Sequence, residues 1–196
     1  MAEKTNMIQD AVNLINKRIL ENREAASKII PNDILIAANL INRTIVKAGK
    51  IFICGCGGSA AQAQHFAAEL VGRYKRERYG LPAIALTADT AILTAVGNDY
   101  GFDVIFSRQL QALSRPGDLL IALSTSGRSA SIISAIKYAR LSDISILGFT
   151  GHKGWDFSIK CDHSLVAESE DTAIIQETHL LMVHLICEII EGTASI

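Results

Sequence analysis

The sequence predicts a single α/β domain built on a parallel β-sheet. Short apolar segments alternate with longer amphipathic segments along the chain, as strands and helices do around a parallel sheet. The apolar segments contain few polar residues, which is typical of strands covered by helices on both faces. A chain of 196 residues suffices for one domain with a sizeable core. We therefore expect one domain over 1–196, with a helical pair over 1–48 and an α/β core over 49–196.

The composition argues against several classes of protein. With 20% charged residues and a net charge of -1, the chain has no general attraction to nucleic acid or to anionic membranes. The amino terminus is polar, unlike a signal peptide, and the apolar run over 180–190 is short and interrupted by His184 and Glu188. We expect a cytoplasmic protein that binds neither nucleic acid nor membrane and whose four cysteines are free thiols.

Two amphipathic helices are predicted before the first strand. The first spans about 7–30 and ends at Pro31, and the second runs from an N-cap at Asn32 or Asp33 to Ala48. The first has apolar residues at helical spacing: Ile8, Val12, Ile15 and Ile19. Two helices exceed what a small sheet needs as cover, so we expect part of the pair to pack on another subunit.

The first strand, turn and helix occupy IFICGCGGSAAQAQHFAAEL, residues 51–70. A buried strand runs into a turn in which Gly55, Gly57 and Gly58 leave backbone N–H groups exposed. Ser59 is positioned to cap the helix that follows. Such a helix start favours a phosphate or a carboxylate.

Within this helix, His65 and Glu69 share one face because they are four residues apart. An imidazole and a carboxylate so placed can converge on one metal ion or one substrate carbon. Arg73 lies four residues further on and would continue the same face. The neighbouring basic residues, Arg78 among them, are expected to form a solvated surface.

The next unit is a strand over 83–87, a helix over 88–96 and a turn over 97–101. This turn presents the amide of Asn98 and the carboxylate of Asp99. Turns favour such residues in any case, so the signal is weak by itself.

A hydroxyl-rich loop, STSGRS, follows a third strand over 119–123 and precedes a helix over 132–140. Helix capping explains one or two hydroxyls, whereas a phosphate cradle explains four in six residues: Ser124, Thr125, Ser126 and Ser129. The sequence lacks GxxxxGK[ST], and its first loop is not GxGxxG, so nucleotide binding is disfavoured.

Further strands are expected at 144–150 and 164–166. The glycine turn, the turn over 97–101 and the serine loop should then all lie at or near one edge of the sheet, where one small-molecule pocket can use all three. The last helix, about 172–191, has Asp171 as its predicted N-cap and is apolar nearly all round. Buried polar residues there need partners, although a histidine such as His184 is more often a core residue than a ligand. Gln176 lies roughly 12 Å of rise from His184, so both reach one site only if their side chains lean together.

These segments resemble the SIS (sugar isomerase) domain family and, within it, the phosphoheptose isomerases. Four segments carry the resemblance over nearly the whole chain: CGCGGSAAQAQHFAAELVGRYKRER, AVGNDYGF, PGDLLIALSTSGRSASI and DTAIIQETHLLMVHLICEII. The first and last are specific to phosphoheptose isomerases. The resemblance implies one SIS domain with a flavodoxin-like, five-stranded parallel sheet and two N-terminal helices, in a homotetramer whose subunits complete one another's active sites.

The resemblance also implies a reaction: isomerisation of sedoheptulose 7-phosphate to D-glycero-D-manno-heptose 7-phosphate through a cis-enediol, for lipopolysaccharide or capsule. Glu69 matches the family's base and His184 its acid. One zinc ion per subunit would be held by His65, Glu69, Gln176 and His184. Substrate contacts are implied at Gly57, Gly58, Ser59, Glu69, Asn98, Asp99, Ser124, Thr125, Ser126, Ser129 and Gln176. Arg73 and Asp171 lie where further contacts are expected.

One position departs from the family pattern, which usually reads CGNGGS with an asparagine that contacts substrate. Here the residue is Cys56. A thiol is a poor hydrogen-bonding replacement for an amide, so we expect an altered substrate affinity or sugar preference.

Two other functions would use the same fold. A non-catalytic tetramer that binds a protein partner, like the replication-initiator-associating proteins, would have no chemical need for His65, Glu69 and His184. A sugar-phosphate-sensing regulator would normally carry a DNA-binding domain, and the residues before the sheet show no basic recognition helix. The enzyme is therefore the favoured interpretation.

Overall fold

The computed structural model describes residues 2–154, 157 and 160–193. In this part of the chain, five strands form one parallel sheet in the order β2-β1-β3-β4-β5. The strands are β1 (Ile51–Cys54), β2 (Ala83–Ala85), β3 (Leu119–Ser124), β4 (Ser145–Gly151) and β5 (His163–Ala167). This is the flavodoxin-like order, so the predicted sheet is confirmed.

Helices flank the sheet on both faces. They are α1 (Ala2–Ser27), α2 (Pro31–Val46), α3 (Gly58–Val71), α4 (Thr90–Tyr100), α5 (Ser107–Leu113), α6 (Ala130–Leu141) and α7 (Thr172–Thr193), with a short 3-10 helix at Phe102–Val104. Helix α2 begins at Pro31 and its N-cap residue is Ile30, so the predicted cap at Asn32 or Asp33 is wrong. Proline suits the first helical position because its missing N–H has no partner to lose there.

Two hydrophobic cores lie on opposite faces of the sheet. In β1, Ile51 and Ile53 face the core formed with α2, α3 and α7, whereas Phe52 and Cys54 face the core formed with α5 and α6. Every residue of β1 and of β3 is buried. Strands that are covered on both faces are apolar throughout, whereas strands covered on one face alternate between apolar and polar residues. The parallel sheet was predicted from this continuous apolar pattern.

The two N-terminal helices differ in how they pack. Helix α2 joins the core, and its Ala37 and Ile41 are completely buried. Helix α1 contacts α7 but leaves a series of large apolar side chains exposed: Met7, Ile8, Val12, Leu14, Ile15, Ile19 and Leu20. An apolar surface of this extent is typical of a protein interface.

Contrary to the sequence prediction, helix α7 contains an apolar segment of membrane-spanning length. The segment Thr172–Gly192 is long and apolar enough, by composition, to cross a bilayer, and α1 and α2 meet the same test only as a pair bent by 68°. Half of the α7 window is buried inside the domain. Helix α7 packs in the core of the domain, and this burial explains its apolar composition.

Candidate active site

Three of the predicted residues meet between α3 and α7. Nε2 of His65 lies 2.9 Å from Nε2 of His184 and 3.5 Å from a carboxylate oxygen of Glu69. The ligand atoms of the three side chains all lie within 4.8 Å of one another. Each side chain is half-buried, so a small molecule can reach it. We refer to these three residues as the His/Glu/His cluster.

The packing of the two helices places this cluster. On α3, His65 and Glu69 share a face, as predicted from their spacing. The adjacent Phe66 turns into the core, and so does Val183 beside His184 on α7. Because these apolar neighbours fix the rotation of each helix, the polar residues beside them face the groove between the helices.

The donor set of the cluster fits a zinc ion. Two imidazole nitrogens and one carboxylate oxygen are a ligand set found in catalytic zinc sites, where a further position stays open for water or substrate. Each neutral imidazole offers one lone-pair nitrogen, and here the Nε2 atoms face each other at 2.9 Å beside the Glu69 carboxylate. All three donors can therefore serve one cation.

Gln176 lies at the amino end of α3. Its side-chain amide packs on Gly58 so closely that a Cβ there would come within 2.6 to 2.8 Å of the amide atoms. Its backbone carbonyl accepts a hydrogen bond from Nε2 of Gln62 at 2.5 Å. The amide thus lies against the glycine turn, and its role as a zinc ligand stays a prediction.

The glycine turn begins α3 without a side-chain cap. Gly57 is the N-cap residue, with a φ of 59° that favours glycine. Ser59 was expected to cap the helix, and this prediction is wrong. Its side chain is buried within the first turn, because the helix already begins at Gly58. The turn depends on backbone conformation rather than on a capping hydroxyl.

The serine loop leaves the carboxyl end of β3. Oγ of Ser124 accepts a hydrogen bond from the N–H of Gly127 at 3.1 Å, and Oγ of Ser126 accepts one from the N–H of Arg128 at 3.2 Å. A cavity of about 120 Å³ adjoins the loop and is lined by Thr125, Ser126, Arg128, Lys153, Ser169, Glu170, Thr172 and Ile175. The loop therefore stands beside a cavity at the edge where a ligand was expected.

Cys56 joins the glycine turn to the serine loop. Its Sγ lies 3.5 Å from Oγ of Ser129 and 3.4 Å from Oγ of Ser131, and the two hydroxyls are 3.3 Å apart. The thiol is half-buried. The residue that departs from the family pattern thus contacts Ser129, one of the predicted phosphate-binding serines.

Comparison with known proteins identifies the family. The family described as SIS domain matches residues 16–151. A phosphoheptose isomerase of Campylobacter jejuni serotype O:6 is 50% identical over 182 residues, which cover 92% of this chain and 98% of that protein. This chain belongs to the phosphoheptose isomerase family.

Solved structures of phosphoheptose isomerases share the fold. The structure from Neisseria gonorrhoeae has a TM-score of 0.87 and 41% identity, and the match covers 95% of this chain and 100% of that chain. The structure from Francisella tularensis has a TM-score of 0.88 and 36% identity, with 94% and 98% covered. The sheet and its flanking helices are those of phosphoheptose isomerases.

Three residues predicted to bind substrate are exposed in this chain: Arg73, Asn98 and Asp99. Helix α3 ends at Val71, so Arg73 does not continue its face, and its exposed guanidinium pairs with Glu77 at 3.5 Å. Helix α4 continues through Tyr100, so the turn predicted at 97–101 is wrong. Asn98 and Asp99 therefore lie on its last turn, exposed and bonded to each other at 2.9 Å. No residue of α4 is buried, and these two side chains face outward.

Asp171 is the N-cap of α7, as predicted. Its Oδ1 accepts hydrogen bonds from the N–H groups of Ala173 and Ile174, at 2.9 and 3.3 Å. Its Oδ2 pairs with Arg18 of α1 at 2.6 Å. The hydrogen bond from Arg18 lowers the pKa of Asp171, and the helix N–H groups add to this shift. The carboxylate thus serves the capping and docking of helices in this chain.

Three residues near the cluster were missed by the sequence reasoning. The Tyr74 ring stacks on His184, with centroids 5.4 Å apart and planes inclined by 25°. Arg78, expected on a solvated surface, is instead nearly buried and pairs with buried Glu191 at 3.3 Å. The basic segment over 73–80 gave no signal for these contacts, because the residues that it contacts lie more than a hundred residues away in sequence, on α7.

Proposed function

We propose that this chain is an aldose–ketose isomerase that converts sedoheptulose 7-phosphate to D-glycero-D-manno-heptose 7-phosphate, for the synthesis of lipopolysaccharide or capsule precursors. The family membership supports the reaction class. The observation that carries the proposal is the His/Glu/His cluster, in which a carboxylate and two imidazoles lie within 4.8 Å of one another. An acid and a base at one site are what a 1,2-proton transfer requires.

In the proposed mechanism, Glu69 removes a proton from C1 of the ketose, which produces a cis-enediol. Glu69 returns the proton to C2, while His184 transfers a proton between the two oxygens. Substrate and product are isomers, so no other atoms or electrons are exchanged. The half-buried positions of both side chains restrict water while leaving space for the sugar.

Zinc is the proposed cofactor, one ion per subunit, held by His65, Glu69, Gln176 and His184. When bound, the ion would stabilise negative charge on the substrate oxygens. The three donor atoms that already converge support this assignment.

The proposed substrate contacts divide into two groups. Four hydroxyl residues of the serine loop hold the phosphate: Ser124, Thr125, Ser126 and Ser129. The sugar is contacted by Gly57, Gly58, Ser59, Glu69 and Gln176 near the start of α3. Asn98 and Asp99, with Arg73 and Asp171, complete the proposed set. The exposed positions of Asn98, Asp99 and Arg73 suit contacts at the site of a neighbouring subunit.

We also propose that the chain is a single SIS domain that forms a homotetramer in the cytoplasm and acts without nucleic acid or membrane partners. The exposed apolar surface of α1 supports assembly, since Met7 and Ile8 are 72% and 61% exposed in the isolated chain. The non-catalytic alternative, a scaffold that binds a protein partner, is not favoured, because it would give no reason for the His/Glu/His cluster.

The experiment that tests this function is turnover of sedoheptulose 7-phosphate by the purified chain, with and without a chelator. We expect Glu69→Gln to lower kcat by about 10²- to 10⁴-fold, because the amide cannot accept the proton. Chelation should abolish turnover, and added zinc should restore it. A wild-type chain that binds the sugar phosphate but converts none of it under any metal would leave only the scaffold function.

A further inference from the structure

Glu191 near the end of α7 is a buried carboxylate with an unusual number of backbone partners. Its Oε1 accepts a hydrogen bond from the N–H of Tyr74 at 2.7 Å. Its Oε2 accepts hydrogen bonds from the N–H groups of Lys75 and Arg76 at 2.8 and 2.9 Å. Three successive N–H groups on one carboxylate form an anion-binding turn. Glu191 therefore fixes the segment 74–76.

These hydrogen bonds leave Glu191 charged despite its burial. Burial by itself raises the pKa of a carboxyl group, but the N–H groups of Arg76, Lys75 and Tyr74 and the charge of Arg78 outweigh it, so the pKa of Glu191 lies below its usual value. The Glu191 side chain is only 3% exposed and that of Arg78 only 10%. A charge pair so enclosed is specific in its geometry, because neither partner can turn to water.

Arg78 connects this carboxylate to the end of α3. Its Nη2 donates to the carbonyl of Glu69 at 2.7 Å, and its Nη1 donates to the carbonyls of Leu70 and Gly72 at 2.9 and 3.2 Å. The last carbonyls of a helix have no partner within the helix, so the guanidinium completes the last turn of α3. That turn carries Glu69 of the His/Glu/His cluster.

The segment held by Glu191 reaches the other side of the cluster. The Tyr74 ring stacks on the His184 ring with centroids 5.4 Å apart. We call Arg78, Glu191 and Tyr74 the carboxyl-end clamp. It contacts the backbone of Glu69 through Arg78 and the ring of His184 through Tyr74.

We propose that the carboxyl-end clamp positions Glu69 and His184 relative to each other, so that Arg78, Glu191 and Tyr74 are positioning residues for proton transfer and zinc binding. The inference rests on the proposed function. The clamp joins the two helices that supply the proposed base and acid, and small displacements of such groups reduce rate steeply. The serine loop lies at another part of the site, so phosphate binding does not depend on the clamp.

The test compares Glu191→Gln and Arg78→Lys with a matched control, Glu188→Gln. Glu188 lies on the same helix and pairs with the same segment, through Nζ of Lys75 at 3.1 Å, but its side chain is 58% exposed. For each full-length variant we would measure the melting temperature, kcat and KM for sedoheptulose 7-phosphate, and zinc affinity by competition with a chromophoric chelator.

We expect Glu191→Gln and Arg78→Lys to lower kcat by about 10- to 100-fold and zinc affinity by about 10-fold. KM should stay within about twofold, because the phosphate contacts are unchanged, and Glu188→Gln should match wild type. A folded Glu191→Gln chain with wild-type kcat and zinc affinity would overturn the proposal. A loss of kcat accompanied by an equal rise in KM would also overturn it, since the whole site would then be disturbed.

A second pair of variants covers the case in which Glu191→Gln does not fold. Tyr74→Ala removes the ring that stacks on His184 and should lower kcat and zinc affinity, whereas Tyr74→Phe keeps the ring and should match wild type. Equal values for Tyr74→Ala and wild type would refute the clamp. If wild type shows no turnover at all, the proposed function fails, and the zinc affinities alone then decide whether the clamp positions the ligands.

Discussion

His179 and His184 lie five residues apart on α7 yet have opposite environments. His179 is completely buried, and its Nε2 donates to the carbonyl of Thr150 at 3.0 Å. His184 is half-buried and faces His65 across the groove between α3 and α7. Five residues correspond to a rotation of about 140° around a helix, so one histidine meets the core and the other the site. The helix face, rather than the residue type, separates the buried histidine from the one in the His/Glu/His cluster.

The pKa of His179 reflects its enclosure. Burial lowers the pKa to about 4, although the hydrogen bond to Thr150 acts in the opposite direction. His179 is therefore neutral at neutral pH, with its proton on Nε2. Such a residue stabilises the fold but cannot exchange protons with a substrate.

The largest expected difference between the two histidines is in catalytic activity. His184→Ala should lower kcat by about 10²- to 10⁴-fold, because it removes the proposed acid and one zinc donor. Its free energy of unfolding should stay within about 1 kcal/mol of wild type, since the ring is half-buried. Steady-state kinetics and denaturant unfolding of one preparation would test both. An active His184→Ala enzyme would remove the functional distinction between the two histidines.

Substitution of the buried histidine, His179, should instead lower the stability of the fold. His179→Ala should lower the free energy of unfolding by about 2 to 4 kcal/mol, because it opens a cavity and leaves the Thr150 carbonyl without its donor. At a temperature where the chain is folded, kcat should stay within about twofold of wild type. Strong loss of kcat in the folded variant would place His179 in the chemistry, contrary to its position in the core.

The smallest expected effect is a pH dependence that belongs to His179. In the unfolded chain its pKa is near 6.5, and in the folded chain it is about 4, so the unfolded state binds more protons between these values. The stabilisation is complete above about pH 6.5 and falls by up to about 3 kcal/mol as the pH drops toward 4. Unfolding curves of wild type and His179→Gln should therefore converge on acidification. If the stabilities of the two proteins changed in parallel with pH, this pH dependence could not be assigned to His179.

Much of the fold could be predicted because the strands β1 and β3 are enclosed on both faces. The uninterrupted apolar runs, such as Ile51–Cys54, are required by helices on both sides of the sheet. The i, i+4 spacing of His65 and Glu69 likewise required a shared face. The end of α4 was misplaced because its Asn and Asp residues suit a turn and a final helical turn equally well. The first turn of α3 was misplaced because a glycine N-cap needs no hydroxyl.

The sequence by itself determined the elements and the chemistry that each carries: the parallel sheet, the glycine turn, the serine loop and the imidazole–carboxylate pair on α3. These features depend on local spacing and on burial periodicity. Local spacing left open which histidine of α7 joins that pair; the family resemblance implied His184, and the tertiary structure brings it there. Only the tertiary structure decided that Arg78 and Glu191 form a buried pair rather than a solvated surface. Those outcomes depend on the packing of α3 against α7, whose residues are far apart in the chain, and local spacing does not encode that rotation.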